Sequence, residues 1–230
     1  MTPTIDTQNV GELIRQLEAP TITPARFNVE LPQEQIDALL TAAYRGIVAE
    51  RGQSLCADTD TRSHIAAAAR WLAAPTGKPG LMLYGLYGNG KTTLMRAIAR
   101  LIRLLYDSPV KSKRVEVVIT DAKAIAEIGA DERRRNEYQR LKSAPLMIID
   151  ELGEEPPEVL VYGRVLTPVR DLLEERYRRQ DLTIVATNLV NTPDNPQLSK
   201  HYGERVVDRF REMMEIIPFR NPSYRVAAKH

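Results

Sequence analysis

A glycine-rich loop between an apolar segment and an amphipathic one constrains the fold of this 230-residue chain more than any other feature. Residues 81–84 predict a buried strand, and residues 93–99 begin a helix whose positive N-terminus faces the loop. Glycines at 85, 88 and 90 let the backbone turn its N–H groups inward around an anion. The pattern predicts a phosphate-binding loop with these nucleotide contacts: Gly85, Leu86, Tyr87, Gly88, Asn89, Gly90, Lys91, Thr92 and Thr93.

The loop has the residue spacing of a nucleoside triphosphate site. We expect Lys91 to reach the β- and γ-phosphates and the Thr92 hydroxyl to ligate Mg²⁺. The alternative is a chance glycine-rich turn, which the strand before the loop and the helix after it argue against. ATP and Mg²⁺ are therefore the predicted substrate and cofactor.

Two acids end a second apolar strand, which spans residues 146–151. Ligands of open α/β folds collect at this end of the strands. Asp150 is expected to hold the metal, and Glu151 to orient and deprotonate the attacking water. The alternative is an acid pair that caps a turn before Gly153. A second acid beside a metal ligand favours a hydrolase over a small-molecule kinase.

Asn188 directly follows another apolar strand, at residues 182–187. A neutral amide there can hydrogen-bond the γ-phosphate or the attacking water without adding charge. An Asn that caps the turn before Leu189 is an equally good interpretation on spacing alone.

Strands and helices alternate after the loop, which predicts an α/β fold with a mostly parallel, three-layer sheet of the P-loop NTPase type. A further strand is expected at residues 115–119, and helices at 121–128, 132–141 and 163–179. The last of these helices is expected to turn Val165, Leu166, Val169, Leu172, Leu173 and Tyr177 inward.

The first 53 residues differ from the rest, and we predict a partner-docking helical region at 1–53 and an ATPase domain at 54–230. Residues 1–50 carry a net charge of −4 and the remainder +6, and Pro20 and Pro24 interrupt the chain after a short helix at 10–17. A second helix begins at Pro32, and a third spans residues 62–72. The proposed docking face of the second helix is Ile36, Leu39, Leu40, Ala43 and Ile47, although this face could equally pack on the ATPase domain itself.

Composition excludes several classes of protein. No apolar run approaches a membrane span, and the N-terminus lacks the regions of a signal peptide, so we expect a cytoplasmic protein with no membrane partner. A single cysteine, Cys56, excludes an intrachain disulfide and a cysteine-rich zinc site.

The ordered set of motifs resembles the DnaC/IstB-like AAA+ ATPases, which are bacterial helicase loaders and transposition helpers. The resemblance covers roughly residues 80–226, and it rests on the loop, on residues 148–153, on Thr187 and Asn188, and on residues 203–209 and 223–225. Tyr87 stands where these proteins usually have proline, and Thr93 where histidine is common. About five residues follow Arg225, and the resemblance leads us to expect a chain without the C-terminal lid of other AAA+ proteins.

The resemblance implies catalysis between subunits of an ATP-dependent homo-oligomer. Arg209 matches an arginine finger that reaches a neighbour's γ-phosphate, Arg205 one turn earlier supports it, and Arg225 matches a second sensor that contacts the nucleotide in cis. The spacing of Arg205 and Arg209 places both on one helix face. The alternative is a solvated face that is salt-bridged to Glu204, Asp208 or Glu212.

The resemblance also implies single-stranded DNA as a partner, with a replicative helicase or a transposase bound through the N-terminal region. The candidate DNA contacts are Lys111, Lys113, Arg114, Lys123, Arg133, Arg134 and Arg135, with Tyr138 available to stack on a base; a solvated charged helix is the alternative.

The favoured function is an ATP-dependent helicase loader. The alternatives are a transposition helper, a P-loop kinase and a nonhydrolysing ATP-gated adaptor.

Overall fold

A computed structural model describes residues 10–18, 29–55, 58–73, 78–106 and 116–224 of the protein. In this described part, no helix combines the length and the apolarity needed to cross a membrane. The elements in chain order are α1 Val10–Glu18, α2 Gln33–Ala49, α3 Thr59–Ala73, β1 Gly80–Gly85, α4 Lys91–Tyr106, β2 Val117–Asp121, α5 Ala122–Ala130, a 3-10 turn at Glu132–Arg134, α6 Arg135–Ser143, β3 Leu146–Leu152, β4 Val159–Val161, β5 Arg164–Leu166, α7 Pro168–Arg179, β6 Leu182–Thr187, β7 Asn191–Thr192, β8 Asn195–Pro196, α8 Gln197–Tyr202, α9 Glu204–Met213 and β9 Met214–Phe219.

Five parallel strands form the central sheet in the order β2-β3-β6-β1-β9. Strand β1, which leads into the phosphate loop, therefore lies beside β6, and β6 lies beside β3. The carboxyl ends of these three strands meet at one edge. The predicted parallel sheet is confirmed, while β9 on the far edge and the β4–β5 and β7–β8 hairpins were not predicted.

Alternate residues of each strand enter separate cores on the two faces of the sheet. Leu81 and Leu83 pack with α2, α3 and α4, whereas Met82 between them packs with α5, α7, α8 and α9. Strand β3 divides in the same way, with Ile148 in the first core and Met147 in the second. Burial on both faces explains why these strands are continuously apolar. The three-layer architecture is confirmed.

Helix α2 belongs to the first of these cores. Its residues Ile36, Leu40 and Ile47 are buried there, and Leu39 and Ala43 are partly buried against it. The apolar stripe proposed as a partner-docking face is therefore covered by α3 and α4 of the same chain, which is the alternative that the sequence left open. Pro20, Pro24 and Cys56 lie outside the described residues.

The single helix predicted over residues 163–179 is wrong in its first turn. Residues 159–166 form the antiparallel β4–β5 hairpin, and α7 begins at Pro168. Tyr162 and Gly163 take φ values of 48° and 77°, which give a tight two-residue turn and end any helix there. Val165, which we expected to face inward, is 60% exposed as a result. The inward positions from Val169 onward are confirmed.

One buried arginine joins α7 to the start of two strands. Arg176 is fully buried and donates hydrogen bonds to the Thr183 hydroxyl and to the carbonyls of Ala144 and Leu182. Burial lowers its pKa to about 10, partly opposed by the charge of Asp181, so the guanidinium stays charged at neutral pH. These bonds orient α7 relative to β3 and β6.

Candidate nucleotide site

A cavity of about 690 Å³ lies at the carboxyl edge of the sheet, where β1, β3 and β6 end. Most of the residues predicted for the site line it together. They are Tyr87, Gly88, Asn89, Gly90, Lys91, Thr92, Thr93, Asp150, Glu151 and Asn188.

Close contacts and backbone conformation both favour glycine at two positions of the loop. A Cβ at Gly85 would lie 2.2 Å from the carbonyl oxygen of Phe219, and one at Gly90 would lie 2.8 Å from the Tyr44 hydroxyl. Both glycines also have positive φ values, 152° and 105°, that other residues rarely adopt. The absence of a side chain at these positions thus lets Phe219 and Tyr44 lie directly against the loop.

Lys91 is held at the centre of the loop by neutral oxygen acceptors. Its Nζ donates to the carbonyls of Gly85 at 2.8 Å and Leu86 at 2.6 Å, and to Asn89 Oδ1 at 3.1 Å. The side chain is only 7% exposed. A mostly buried cation that is held within a glycine-rich loop by neutral oxygens fits a nucleotide phosphate, which would replace some of these acceptors.

Thr92 and Asp150 form a pair of oxygen donors suited to magnesium. The Thr92 hydroxyl donates to Asp150 Oδ1 at 3.3 Å, which joins the start of α4 to the end of β3. The described residues contain no cluster of three or more His, Cys, Asp or Glu that could hold a metal by itself. The pair therefore fits Mg²⁺, which commonly takes one or two protein ligands and completes its shell with phosphate oxygens and water.

Glu151 lies in a strained break of strand β3. Its φ is +53°, and the pairing of β3 with β6 shifts register between Ile149 and Leu152. Its N–H donates to Asp150 Oδ1 at 2.9 Å, and its exposed side chain lines the cavity. A bulge that re-aims a side chain beside a ligand cavity is typical of functional sites. Because the strand breaks between them, Asp150 and Glu151 are available for different roles, one at the metal and the other at the attacking water.

Asn188 carries an unpaired polar atom into the site. Its Oδ1 is buried and has no hydrogen-bond partner among the described residues. The turn that we considered for it is capped instead by Thr187, whose Oγ1 accepts from the Leu189 N–H at 3.1 Å. Leaving a buried acceptor unpaired costs about 1–3 kcal/mol, which a bound ligand or water would offset. An unpaired acceptor favours contact with a water molecule, which can donate to it, over contact through this oxygen with the γ-phosphate.

One wall of the cavity is built by residues that sequence reasoning missed. Tyr44, Arg51, Thr61 and Tyr224 line it, and the Tyr224 N–H donates to the Gly88 carbonyl at 2.9 Å. The Tyr224 hydroxyl lies 2.9 Å from Thr61 Oγ1. Burial raises the pKa of Tyr44 to about 12, so its hydroxyl stays neutral. These residues come from α2, α3 and the segment after β9, which only folding brings together.

Arg96, on the α4 turn after Thr92, also lines the cavity and was not predicted. Its spacing of four residues from Thr92 on a helix could have revealed it.

The two arginines predicted to act between subunits do not line this cavity. Arg209 on α9 pairs with Glu174 on α7, with 3.1 Å between Nη1 and Oε1, and its guanidinium lies 4.9 Å from the centre of the Tyr177 ring. Arg205 is exposed. The partner of Arg209 is thus on a neighbouring helix rather than at any of the acids that we considered within α9. Arg225 lies outside the described residues.

Comparison with solved structures shows the same fold in three proteins of low sequence identity. The DnaC helicase loader is 19% identical with a TM-score of 0.52, over 77% of this chain and 98% of that one. DnaI is 19% identical with a TM-score of 0.53, over 84% and 93%. A proposed primosome component from Streptococcus pyogenes serotype M3 is 20% identical with a TM-score of 0.52, over 72% and 82%.

A search of curated proteins found no match. A model of the ATPase family associated with various cellular activities (AAA) matches residues 81–209, more than half of the chain, from strand β1 to Arg209 on α9. The matched segment contains the phosphate loop, Asp150, Glu151 and Asn188, so the chain belongs to the AAA family of nucleotide-hydrolysing ATPases.

Proposed function

We propose that this protein is a magnesium-dependent ATPase that binds single-stranded DNA and loads or remodels a replicative helicase. The observation that carries the ATPase part is the placement of Glu151 at a strained bulge beside the Thr92–Asp150 pair. The loader part is supported by the fold shared with the DnaC helicase loader over 77% of the chain.

In the proposed reaction, the loop N–H groups and Lys91 bind the phosphates of ATP. Thr92 and Asp150 would hold Mg²⁺, which neutralises phosphate charge and orients the γ-phosphate. Glu151 accepts a proton from the attacking water, and the Asn188 amide orients that water or the γ-phosphate. A carboxylate and an amide on neighbouring strands can orient and deprotonate the water without a second metal ion.

We further propose that hydrolysis is completed between subunits. Arg205 and Arg209 lie away from the cavity of their own chain, so each could serve only a neighbour's site. ATP bound at the junction would then stabilise a homo-oligomer, because the guanidinium offers a fixed positive charge to the phosphate. Arg225 is proposed to contact the nucleotide in cis, from the position after Tyr224.

Partner docking is proposed for the segment that precedes α2. Because α2 buries its apolar face within the ATPase core, the docking surface within residues 1–53 narrows to α1 and its flanking sequence. Helix α1 carries an exposed apolar residue, Ile14.

The test is binding of fluorescent single-stranded and duplex oligonucleotides of equal length, with and without ATP and magnesium. We expect ATP to promote single-strand binding that has little sequence preference and weakens steeply with salt. The same protein should capture a replicative helicase and open or load it on DNA. A clear preference for duplex would contradict the loader and support the transposition helper instead.

A further inference from the structure

A second surface of the chain combines an exposed aromatic ring with several cations. The β4–β5 hairpin and the junction between α5 and α6 together enclose a cavity of about 660 Å³, away from the nucleotide site. Tyr162 and Arg164 line it from the hairpin, and Arg135 lines it from the junction. We call these two elements and the cavity between them the hairpin surface.

Tyr162 occupies a turn position that is unfavourable for its residue type. The turn needs positive φ at both central residues, which favours Asn-Gly, and a bulky residue there is strained. Tyr162 has a φ of 48° and is 91% exposed, so its ring gains little packing from the described residues that would offset the strain. Strain of this kind is typical of functional positions.

The outer face of the hairpin is apolar. Leu160 and Val165 are directly opposite each other in the β4–β5 pair, and they are 72% and 60% exposed. Nothing in the described part of the chain covers this pair. The pair alternates with Val161, Arg164 and Leu166, which line the cavity, so it lies on the opposite face of the hairpin. On the cavity side, the ring of Tyr162 at the tip is the contact for the face of an unpaired base.

The charged residues around the cavity indicate which charge the ligand carries. Residues 131–142 carry five Lys or Arg against three Asp or Glu, and Arg133, Arg135 and Arg164 are exposed. Asp131 is engaged, because its carboxylate accepts from the Arg133 N–H at 2.9 Å. The cavity lining itself is balanced, with Asp131 and Glu132 against Arg135 and Arg164, and the net positive charge comes from the rest of residues 131–142. This excess beside the cavity favours a polyanion over an acidic partner.

Tyr138, the aromatic residue expected to stack on a base, is committed to packing instead. Its hydroxyl donates to the Pro168 carbonyl at 2.6 Å, and a Cβ at Gly129 would lie 3.1 Å from its ring. Burial raises its pKa well above the ordinary value. Tyr162, on the other side of the same cavity, is the ring left available.

We propose that the hairpin surface is a binding site for single-stranded nucleic acid, with a base stacked on Tyr162 and phosphates bound by Arg164 and Arg135. This inference rests on the single-strand binding proposed above and adds the site. A duplex fits poorly, because its bases are already stacked on one another.

The hairpin is also placed to respond to the nucleotide. It follows Glu151 by only a few residues, and Glu154, in the segment that connects β3 to the hairpin, accepts a 2.5 Å hydrogen bond from the Tyr87 hydroxyl of the phosphate loop. ATP at the loop would therefore bias the position of this segment, so single-strand affinity is expected to differ with and without ATP.

The decisive variant is Tyr162→Asn, measured by fluorescence anisotropy on oligothymidine in the presence of ATP. Asparagine suits the turn better than tyrosine, so the melting temperature should stay the same or rise while the ring is removed. We expect the dissociation constant to rise roughly 5- to 100-fold, the usual effect of removing a base-stacking ring. Tyr162→Phe, which keeps the ring, should bind within about twofold of the unmodified protein.

The charge contribution is measured with Arg164→Gln. It should make the slope of log affinity against log salt shallower by about 0.7, the value for one phosphate contact on a single strand. Arg62→Gln is the matched control, because Arg62 is exposed on α3 across the sheet, and it should leave the slope unchanged.

Two results would overturn the inference alone. One is single-strand binding by the unmodified protein that Tyr162→Asn does not weaken. The other is an equal loss in Tyr162→Asn and Tyr162→Phe. A lack of single-strand binding by the unmodified protein would overturn the inference together with the DNA part of the proposed function.

Discussion

Replacing Arg209 by alanine should separate its catalytic contribution from its structural one. In the structure, Arg209 pairs with Glu174 and lies over the Tyr177 ring. Its side chain is 15% exposed and that of Glu174 is 34% exposed, so the lost ion pair costs at most ~1 kcal/mol. The whole substitution should lower the free energy of unfolding by about 1–2 kcal/mol.

This loss is small beside the expected effect on turnover. An arginine finger accelerates phosphoryl transfer by about 10³–10⁵, equivalent to about 4–7 kcal/mol. A change of 1–2 kcal/mol shifts the melting temperature of a chain of this size by about 2–8 °C and leaves most molecules folded. Steady-state ATP hydrolysis and nucleotide binding are measured together with thermal unfolding. We expect near-normal binding and at least about a thousandfold slower hydrolysis.

Glu174→Gln is the matched control, because it removes the ion pair but keeps the guanidinium. It should lose a similar part of the stability and hydrolyse ATP within about threefold of the unmodified rate. Mixing Arg209→Ala with Lys91→Ala should restore activity, since each damages a different side of a shared site. An equal loss of turnover in Glu174→Gln, or no recovery in mixtures that assemble, would show that Arg209 acts by holding α9 to α7.

Three further predictions concern the site and the two cores. Lys91→Ala should abolish ATP binding, whereas Glu151→Gln should bind ATP and lose turnover, because the Lys91 ammonium neutralises bound phosphate and the Glu151 carboxylate acts only on water. Undiminished turnover in Glu151→Gln would exclude Glu151 as the base. Leu40→Asp should destabilise the fold by at least about 4 kcal/mol and reduce ATP binding as well, because it places an unpaired charge in the core. The control is Leu104→Asp, at a 69% exposed position of α4, and equal melting temperatures for the two variants would contradict the packing of α2. Glu155→Gln should flatten the dependence of stability on pH below about 4.5. Burial raises the pKa of Glu155, but hydrogen bonds to its carboxylate outweigh burial and leave that pKa below its ordinary value, so the stabilisation is present above pH 4.5 and is lost as the pH falls through the folded-state pKa. Urea unfolding from neutral to acidic pH measures this, and identical pH profiles for the two proteins would contradict it.

The phosphate loop and the central strands could be predicted from the sequence because their signals are local. Gly85, Gly90 and Lys91 have fixed spacing, and the apolar segments around them are long enough to show that they are buried. The same locality predicted that Asp150 and Asn188 end their strands. In a parallel sheet, the carboxyl ends of neighbouring strands share one edge, which brings these residues to the loop.

Short or weakly patterned elements were missed for the converse reason. The β4–β5 hairpin reads as the start of a helix, because Val165 and Leu166 continue the apolar spacing of α7. The turn depends on Tyr162, a residue that the usual hairpin signal does not include. Strand β9 was not predicted, because its segment contains Pro218, which is tolerated only at a sheet edge such as the one it occupies.

The sequence by itself determined the loop chemistry, the metal and base candidates, and the alternation that makes a parallel sheet, since each of these depends on neighbours along the chain. The tertiary structure alone decided which surfaces are free. It buried the apolar face of α2, brought Tyr44 and Tyr224 together in one wall of the nucleotide cavity, paired Arg209 with Glu174, and left Tyr162 exposed while Tyr138 became packed. The physical reason is that an amphipathic or charged segment reveals which of its faces is apolar or charged, whereas its partner is set by contacts between residues far apart in the chain.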